Sequence, residues 1–211
     1  MQVYSLLHLS WRNTLPSGHP DREHGSSRPL RWLLVVVTVI VALTVGWPLV
    51  SRAVSDDQPV AAGVPLSIGP DSAQSATFTP GRNWVVRSAE TDPILHWSLT
   101  DGPVELAVIW VMVISPSQVG RLWPGLQSGL LVGDGSARLG RPASFTSAAG
   151  NKGVTGALTA NDRAGEAVIV PGPARDFAIE IVGVAPVQDG AAARAAAALV
   201  ARSLRFPAAA K

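Results

Sequence analysis

Histidine, serine and carboxylate side chains are the residues from which this chain could build a hydrolytic site. A serine–histidine–aspartate triad would have to use His96, with Asp92 or Asp101 orienting the imidazole. The sequence has no Gly-x-Ser-x-Gly pattern, which presents the nucleophilic serine of many hydrolases. Because His96 precedes Trp97 in a strand-like segment, we expect a partly exposed sheet residue there rather than a catalytic base.

Carboxylates alone could supply the acid and base of a glycoside hydrolase. The acidic residues that could form such a pair are Glu90, Asp92, Glu105, Glu166 and Glu180. The spacing of these residues does not bring any two of them together, and the three on predicted strands are expected to face solvent or a sheet edge. An envelope hydrolase using carboxylates is therefore only a weaker alternative.

Metal and phosphate sites lack their usual ligands in this chain. The sequence contains no cysteine, and His96 is the only histidine beyond residue 31, so a His/Cys zinc site cannot be built. No Asp-x-Asp-x-Asp-Gly calcium loop occurs, and Gly133-Asp-Gly135 is too short to cradle a phosphate. We predict no catalytic residue, no metal and no cofactor.

Tryptophans are better candidates for a binding role than the titratable residues. Trp84, Trp97, Trp110 and Trp123 fall within one modest domain, and core packing is the expected role for most of them. Trp123 differs because it precedes Pro124-Gly125, where a helix is expected to kink. We predict that Trp123, if exposed there, contacts a protein partner, because tryptophan is enriched at interface hot spots.

The elements that must position these residues are mostly strands. Alternating or continuous apolar runs predict strands near 75–79, 84–87, 95–99, 104–114, 137–147, 153–160, 164–171 and 177–184. Asp101-Gly102 predicts a hairpin turn. The run 104–114 is apolar on both strand faces, which predicts a central strand covered on both sides.

Two helices are predicted between and after these strands. Ser115 as cap, Pro116 at the first position and Gln118 closing a capping box predict a helix over 116–131. Asp189 predicts the cap of a terminal helix over 191–204. Its expected sheet-facing residues are Ala192, Ala195, Ala196, Leu199 and Val200. The predicted fold class is α+β, with an antiparallel sheet sandwiched by two helices in an α/β/α arrangement.

An uncharged run of nineteen residues, 32–50, precedes all of these elements and lies between Arg31 and Arg52. A membrane helix needs about 20 apolar residues. Trp32 and Trp47 would lie roughly 22 Å apart along such a helix, near the two interfaces. The long preceding stretch and the long apolar run do not fit a cleaved signal peptide, so we predict a permanent single span.

Basic residues predict the orientation of this span. The arginines before it are Arg12, Arg22, Arg28 and Arg31. Beyond it, Arg52 is the only basic residue before Arg82. The positive-inside tendency therefore places the N-terminus in the cytoplasm and residues 52–211 outside, with Arg28, Arg31, Trp32 and Trp47 as interface anchors.

The chain is thus predicted to have five parts. They are a disordered cytoplasmic tail (1–31), a transmembrane helix (32–50), a tether (51–64), an extracytoplasmic α+β domain (65–206) and a C-terminal tail (207–211). The cytoplasmic tail carries a net charge of only +2, because Asp21 and Glu23 lie among its arginines. No nucleic-acid partner is therefore predicted.

The order of the domain's segments resembles a known group of domains. The matching parts are Gly81-Arg-Asn-Trp84, the strand 104–114, the helix after Ser115, the paired strands 153–159 and 166–170, and the Ala-rich helix ending Ser203-Leu-Arg-Phe206. Over residues 65–206 the chain resembles the PsbP-like extracytoplasmic domains of actinobacterial membrane-anchored proteins and lipoproteins. The resemblance implies an antiparallel sheet between helices and a role in binding, assembly or scaffolding without catalysis.

These observations predict a single-pass membrane protein that presents a non-enzymatic binding or scaffolding domain to an envelope protein partner. The alternative is a carrier or sensor of an apolar envelope molecule, held between the sheet and the kinked helix 116–131.

Overall fold

A computed structural model describes residues 57–207 of the chain. The predicted span 32–50, the cytoplasmic tail and the interface anchors Arg28, Arg31, Trp32 and Trp47 lie outside the described residues. No helix within the described part is long and apolar enough to cross a membrane.

Eleven strands form within residues 57–207, and the long ones lie where the sequence alternates or runs apolar. Their bounds are β1 (Gln58–Pro59), β2 (Leu66–Ile68), β3 (Ala76–Phe78), β4 (Val85–Val86), β5 (His96–Asp101), β6 (Val104–Met112), β7 (Arg138–Leu139), β8 (Ala143–Thr146), β9 (Lys152–Ala160), β10 (Arg163–Pro171) and β11 (Phe177–Pro186). Residues 58–59, within the predicted tether, therefore already pair with the sheet.

Nine strands form one antiparallel sheet in the order β1-β4-β5-β6-β11-β10-β9-β7, and β8 pairs with the same edge of β9 as β7. The strands β2 and β3 form a separate hairpin. The Asp101-Gly102 prediction is confirmed, because Asp101 pairs with Val104 across the β5–β6 turn and Gly102 adopts a φ of 56°.

Two helices pack on opposite faces of the sheet. Helix α1 (Leu122–Gly133) follows a 3-10 helix over Pro116–Arg121, and helix α2 (Gly190–Ser203) follows a 3-10 turn over Val187–Asp189. Val168 and Val170 of β10 join α2 and the β2–β3 hairpin in one core. Ala167 and Ile169 face the other way and join α1 in a second core. The predicted α+β class with an antiparallel sheet and two helices is confirmed.

The helix starts differ in detail from the prediction. Ser115 occupies the N-cap position before Pro116, but its side chain contacts Ser117 rather than capping the helix. The predicted capping box with Gln118 is not formed. The chain changes from 3-10 to α geometry at Leu122, and Pro124 lies in the first turn of α1, where proline is tolerated.

Of the five residues predicted to face the sheet from the terminal helix, only Val200 is buried, so the predicted face was wrong by part of a turn. The residues of α2 that are buried against the sheet are Gly190, Ala193, Ala197, Val200 and Ala201. Leu199 is about half exposed. The reason is steric: a Cβ added at Gly183 of β11 would lie 2.7 Å from the Ala193 carbonyl oxygen, so α2 approaches the sheet at its small residues.

The strand β6 was predicted to be covered on both faces; one face is buried and the other is only partly covered. Leu106, Val108 and Trp110 are buried on the α2 side, whereas Ile109 and Val111 on the α1 side are half-buried. The cause is the position of α1, which contributes to the core with β9, β10 and β11 and leaves a groove beside β6.

Candidate functional site

The residues predicted for hydrolytic chemistry are not assembled. His96 is half-buried on β5, and its Nδ1 lies 2.9 Å from the Glu90 carbonyl oxygen. Glu90 pairs with Arg87, and Glu105 pairs with Arg163, both at 2.9 Å. Within residues 57–207, no group of three or more histidine or acidic side chains could hold a metal ion.

The tryptophans divide between core and groove. Trp84 and Trp110 are buried, and Trp110 stacks on Phe177 with ring centroids 6.1 Å apart. The Trp97 indole donates to the Ser67 carbonyl oxygen at 2.9 Å, which ties β5 to the β2–β3 hairpin. Core packing therefore accounts for Trp84 and Trp110, and Trp97 is half-buried beside the same core.

Trp123 lies half-buried at the start of α1. Its indole nitrogen donates to the Gly140 carbonyl oxygen at 3.3 Å, and its ring edge packs over Gly156 of β9. A Cβ at position 156 would lie 2.8 Å from that ring, so glycine is what lets the ring approach the strand. Trp123 also lines a cavity of about 630 Å³, which we call the Trp123 groove.

A second cavity, of about 540 Å³, lies on the other side of α1, between this helix and β6. Its walls are apolar: Ile109 and Val111 come from β6, and Leu122, Leu126 and Leu130 come from α1. Gln118, Arg121, Gly125, Gly129 and Glu180 complete the lining. We call it the Glu180 groove.

Glu180 is the acidic residue that the structure places in this groove. It belongs to β11 and pairs in register with Ile109 on one side and Ile169 on the other, so it lies in the middle of the sheet. Its side chain is only 8% exposed, and it forms no hydrogen bond or ion pair with any of residues 57–207. Burial raises the pKa of the Glu180 carboxyl to about 7.

The expectation that Glu180 faces solvent or a sheet edge was wrong. The alternation of Phe177, Ile179 and Ile181 indicated one buried face and left Glu180 on the other. That second face is also buried, because Ala178 and Val182 pack under α1. The signal that could have identified Glu180 is its place as the only charged residue in an otherwise apolar strand of ten residues.

A carboxylate pair is not formed around Glu180. The acid on the neighbouring strand, Glu166, points to the opposite face, where it accepts a hydrogen bond from Thr155. Of the acidic side chains within the described part, Glu180 alone is buried. The groove can therefore bind a donor or a cation, but it lacks the paired acid and base of a glycosidase.

Comparisons of this chain with protein-family models, with curated proteins and with solved structures gave no match.

Proposed function

We propose that this chain is a single-pass membrane protein whose extracytoplasmic α+β domain is a non-enzymatic binding or scaffolding module of the cell envelope. The observation that carries the binding role is the Glu180 groove beside an incompletely covered sheet face. Ile109 and Val111 remain half-buried there and line the groove. A PsbP-like relationship remains a proposal that rests on the order of the segments alone.

The end of the sheet at which the described chain begins supports a position close to a membrane. The register Gln58↔Val86 and Val86↔Leu99 shows that β1 runs away from the end of the sheet that holds His96 and Met112, so the chain approaches β1 from that end. We call this the entry end. Four of the nine exposed large apolar side chains among residues 57–207 lie near this end: Ile94, Leu95, Met112 and Ile114.

The sequence limits how far Asp57 could lie from the end of the proposed span. Six residues separate Val50 from Asp57, and a fully extended chain covers roughly 25 Å over that distance. An anchored domain would therefore keep its exposed apolar end within reach of the lipid surface, where apolar side chains are accommodated better than in water.

The leading partner is another envelope protein, bound at the Glu180 groove and the adjoining half-buried face of β6. A photo-crosslinking residue at Ile109 is expected to capture this partner in intact cells. The same residue at Arg194, on the exposed side of α2, is the matched control. Equal capture at both positions would show that the groove is not the interface.

The absence of cysteine makes the topology directly testable. A Ser17→Cys variant and an Ala149→Cys variant each introduce one thiol, the first before the predicted span and the second on an exposed loop of the domain. A membrane-impermeant maleimide should label Ala149→Cys in intact cells and Ser17→Cys only after lysis. The reverse pattern would refute the proposed orientation.

The carrier or sensor alternative has its own support in the size of the grooves. Small-molecule sites typically enclose about 300–1,000 Å³, and the Glu180 groove, at about 540 Å³, falls in this range. The ligand would lie between the sheet and α1, beside the segment 116–131 whose pattern predicted a kinked helix.

A further inference from the structure

The Glu180 groove combines an apolar lining with one acid that has no partner among residues 57–207. Glu180 is more than nine-tenths buried and has no partner among residues 57–207. A buried carboxyl without a partner is costly unless a ligand or another group satisfies it. The side chain therefore provides a binding position that the domain itself does not fill.

Glycines of α1 provide the room above this acid. Gly125 and Gly129 lie one helical turn apart and both line the groove. A Cβ added at either position would meet nothing within 4 Å, so the packing of the domain does not require glycine there. Glycine within a helix costs about 1 kcal/mol relative to alanine, yet both positions leave open space in the groove that Glu180 also lines.

We propose that the Glu180 groove binds an ammonium group carried on an apolar stem. This inference rests on the non-enzymatic binding role proposed above and names the chemistry that the groove selects. The aliphatic walls from β6 and α1 would cover the stem, and the ammonium would donate charge-assisted hydrogen bonds to the Glu180 carboxylate. An anionic head group would instead bring two negative charges together in a poorly solvated place.

The other charged groups on this face leave Glu180 available. Arg121 also lines the groove, but it is exposed and forms no ion pair with the described residues. His96 lies two strands away from Glu180, because both residues pair with Ile109 from opposite sides. Its imidazole is hydrogen-bonded to the Glu90 carbonyl oxygen. Further along the sheet, Glu105 and Arg163 neutralise each other.

Two sources can supply this chemistry: the lysine side chain of a protein partner, or a free amphiphilic amine. The probes are hexylamine, with hexanol as its neutral counterpart, and a short apolar helical peptide with one central lysine, with a norleucine counterpart. Binding is measured by calorimetry on the full-length chain in nanodiscs at about pH 8, where the Glu180 carboxyl is ionised. Tighter binding of the peptide identifies a protein source, and tighter binding of hexylamine identifies a small molecule.

Three variants test the assignment of the site. Glu180→Gln should weaken binding of the cationic probe by about tenfold or more, because the amide keeps the shape but loses the charge. Gly129→Leu should also weaken binding, because its side chain fills the groove. Glu166→Gln makes the same charge change on the opposite face and should leave the affinity unchanged.

The proposal is overturned if hexanol and the norleucine peptide bind as tightly as their cationic counterparts, or if Glu180→Gln leaves the affinity of the cationic probes unchanged. A circular dichroism spectrum and an unfolding curve for each variant exclude loss of the fold as the cause. The cysteine-labelling experiment is independent of these titrations, so a wrong topology and a wrong ligand class give distinguishable results.

Discussion

Replacing Glu180 by glutamine should remove a loss in the free energy of unfolding that the wild-type domain undergoes as the pH rises. The folded domain holds this carboxyl in the middle of the sheet, 8% exposed and without a hydrogen bond to the described residues. Its folded-state pKa is raised from 4.5 to about 7 by burial. The folded state therefore binds a proton more tightly than the unfolded state, and folding is favoured where the carboxyl is protonated.

The sign and the size follow from this shift. Below about pH 4.5 the carboxyl is protonated in both states, so it imposes no ionisation penalty on folding. As the pH rises from there through about 7, the unfolded state ionises first and the free energy of unfolding falls. A pKa change from 4.5 to about 7 corresponds to a loss of at most about 3–4 kcal/mol, complete above about pH 8. Water in the open groove would reduce this value.

The assay is urea unfolding of the wild-type chain and Glu180→Gln across this pH range. We expect similar stabilities near pH 4.5 and a growing advantage for Glu180→Gln toward pH 8, reaching about 1–3 kcal/mol. Glu105→Gln, which changes an exposed acid on the same face, should not reproduce this profile. If the free energy of unfolding changes with pH in the same way for the wild-type chain and Glu180→Gln, Glu180 is not a buried acid without a partner.

Three other perturbations address the packing of the helices and the entry end. Gly156→Ala should cost about 1–3 kcal/mol and alter tryptophan emission, because the new methyl group meets the Trp123 ring; unchanged emission and stability would contradict this contact. Gly183→Ala should cost more, about 3 kcal/mol, because a carbonyl oxygen of α2 blocks the methyl group and cannot rotate away as a side chain can; urea unfolding measures both losses. A fluorophore at Ile114→Cys in nanodiscs should be quenched by spin-labelled lipid, and one at Asp162→Cys, at the far end of the sheet, should not; equal quenching would argue against a lipid-facing entry end.

Most of the sheet could be predicted because its strands carry local signals. The segments 153–160 and 164–171 were predicted from their alternation and turn residues, and the strands span Lys152–Ala160 and Arg163–Pro171. The rotation of α2 could not be predicted in this way, because its mostly alanine sequence has no apolar stripe to select a face. Contacts between α2 and Gly183, far apart in sequence, determine that face.

The site was harder to predict than the fold, since its burial depends on where a helix crosses the sheet. Trp123 could be identified as unusual from its neighbours Pro124 and Gly125, but the pairing of its ring with Gly156 could not. Glu180 was assigned to solvent because its strand alternates. Only the position of α1 shows that the second face is covered over β10 and β11 and open beside β6.

The groove beside β6 is an energetic compromise rather than a packing accident. Leucine at position 180 would remove an unpaired buried carboxyl, and alanine at Gly125 and Gly129 would strengthen α1 without meeting a neighbour. Each change should therefore stabilise the domain in isolation. All three positions line one cavity, so our proposal predicts that these stabilising changes weaken binding of the cationic probes.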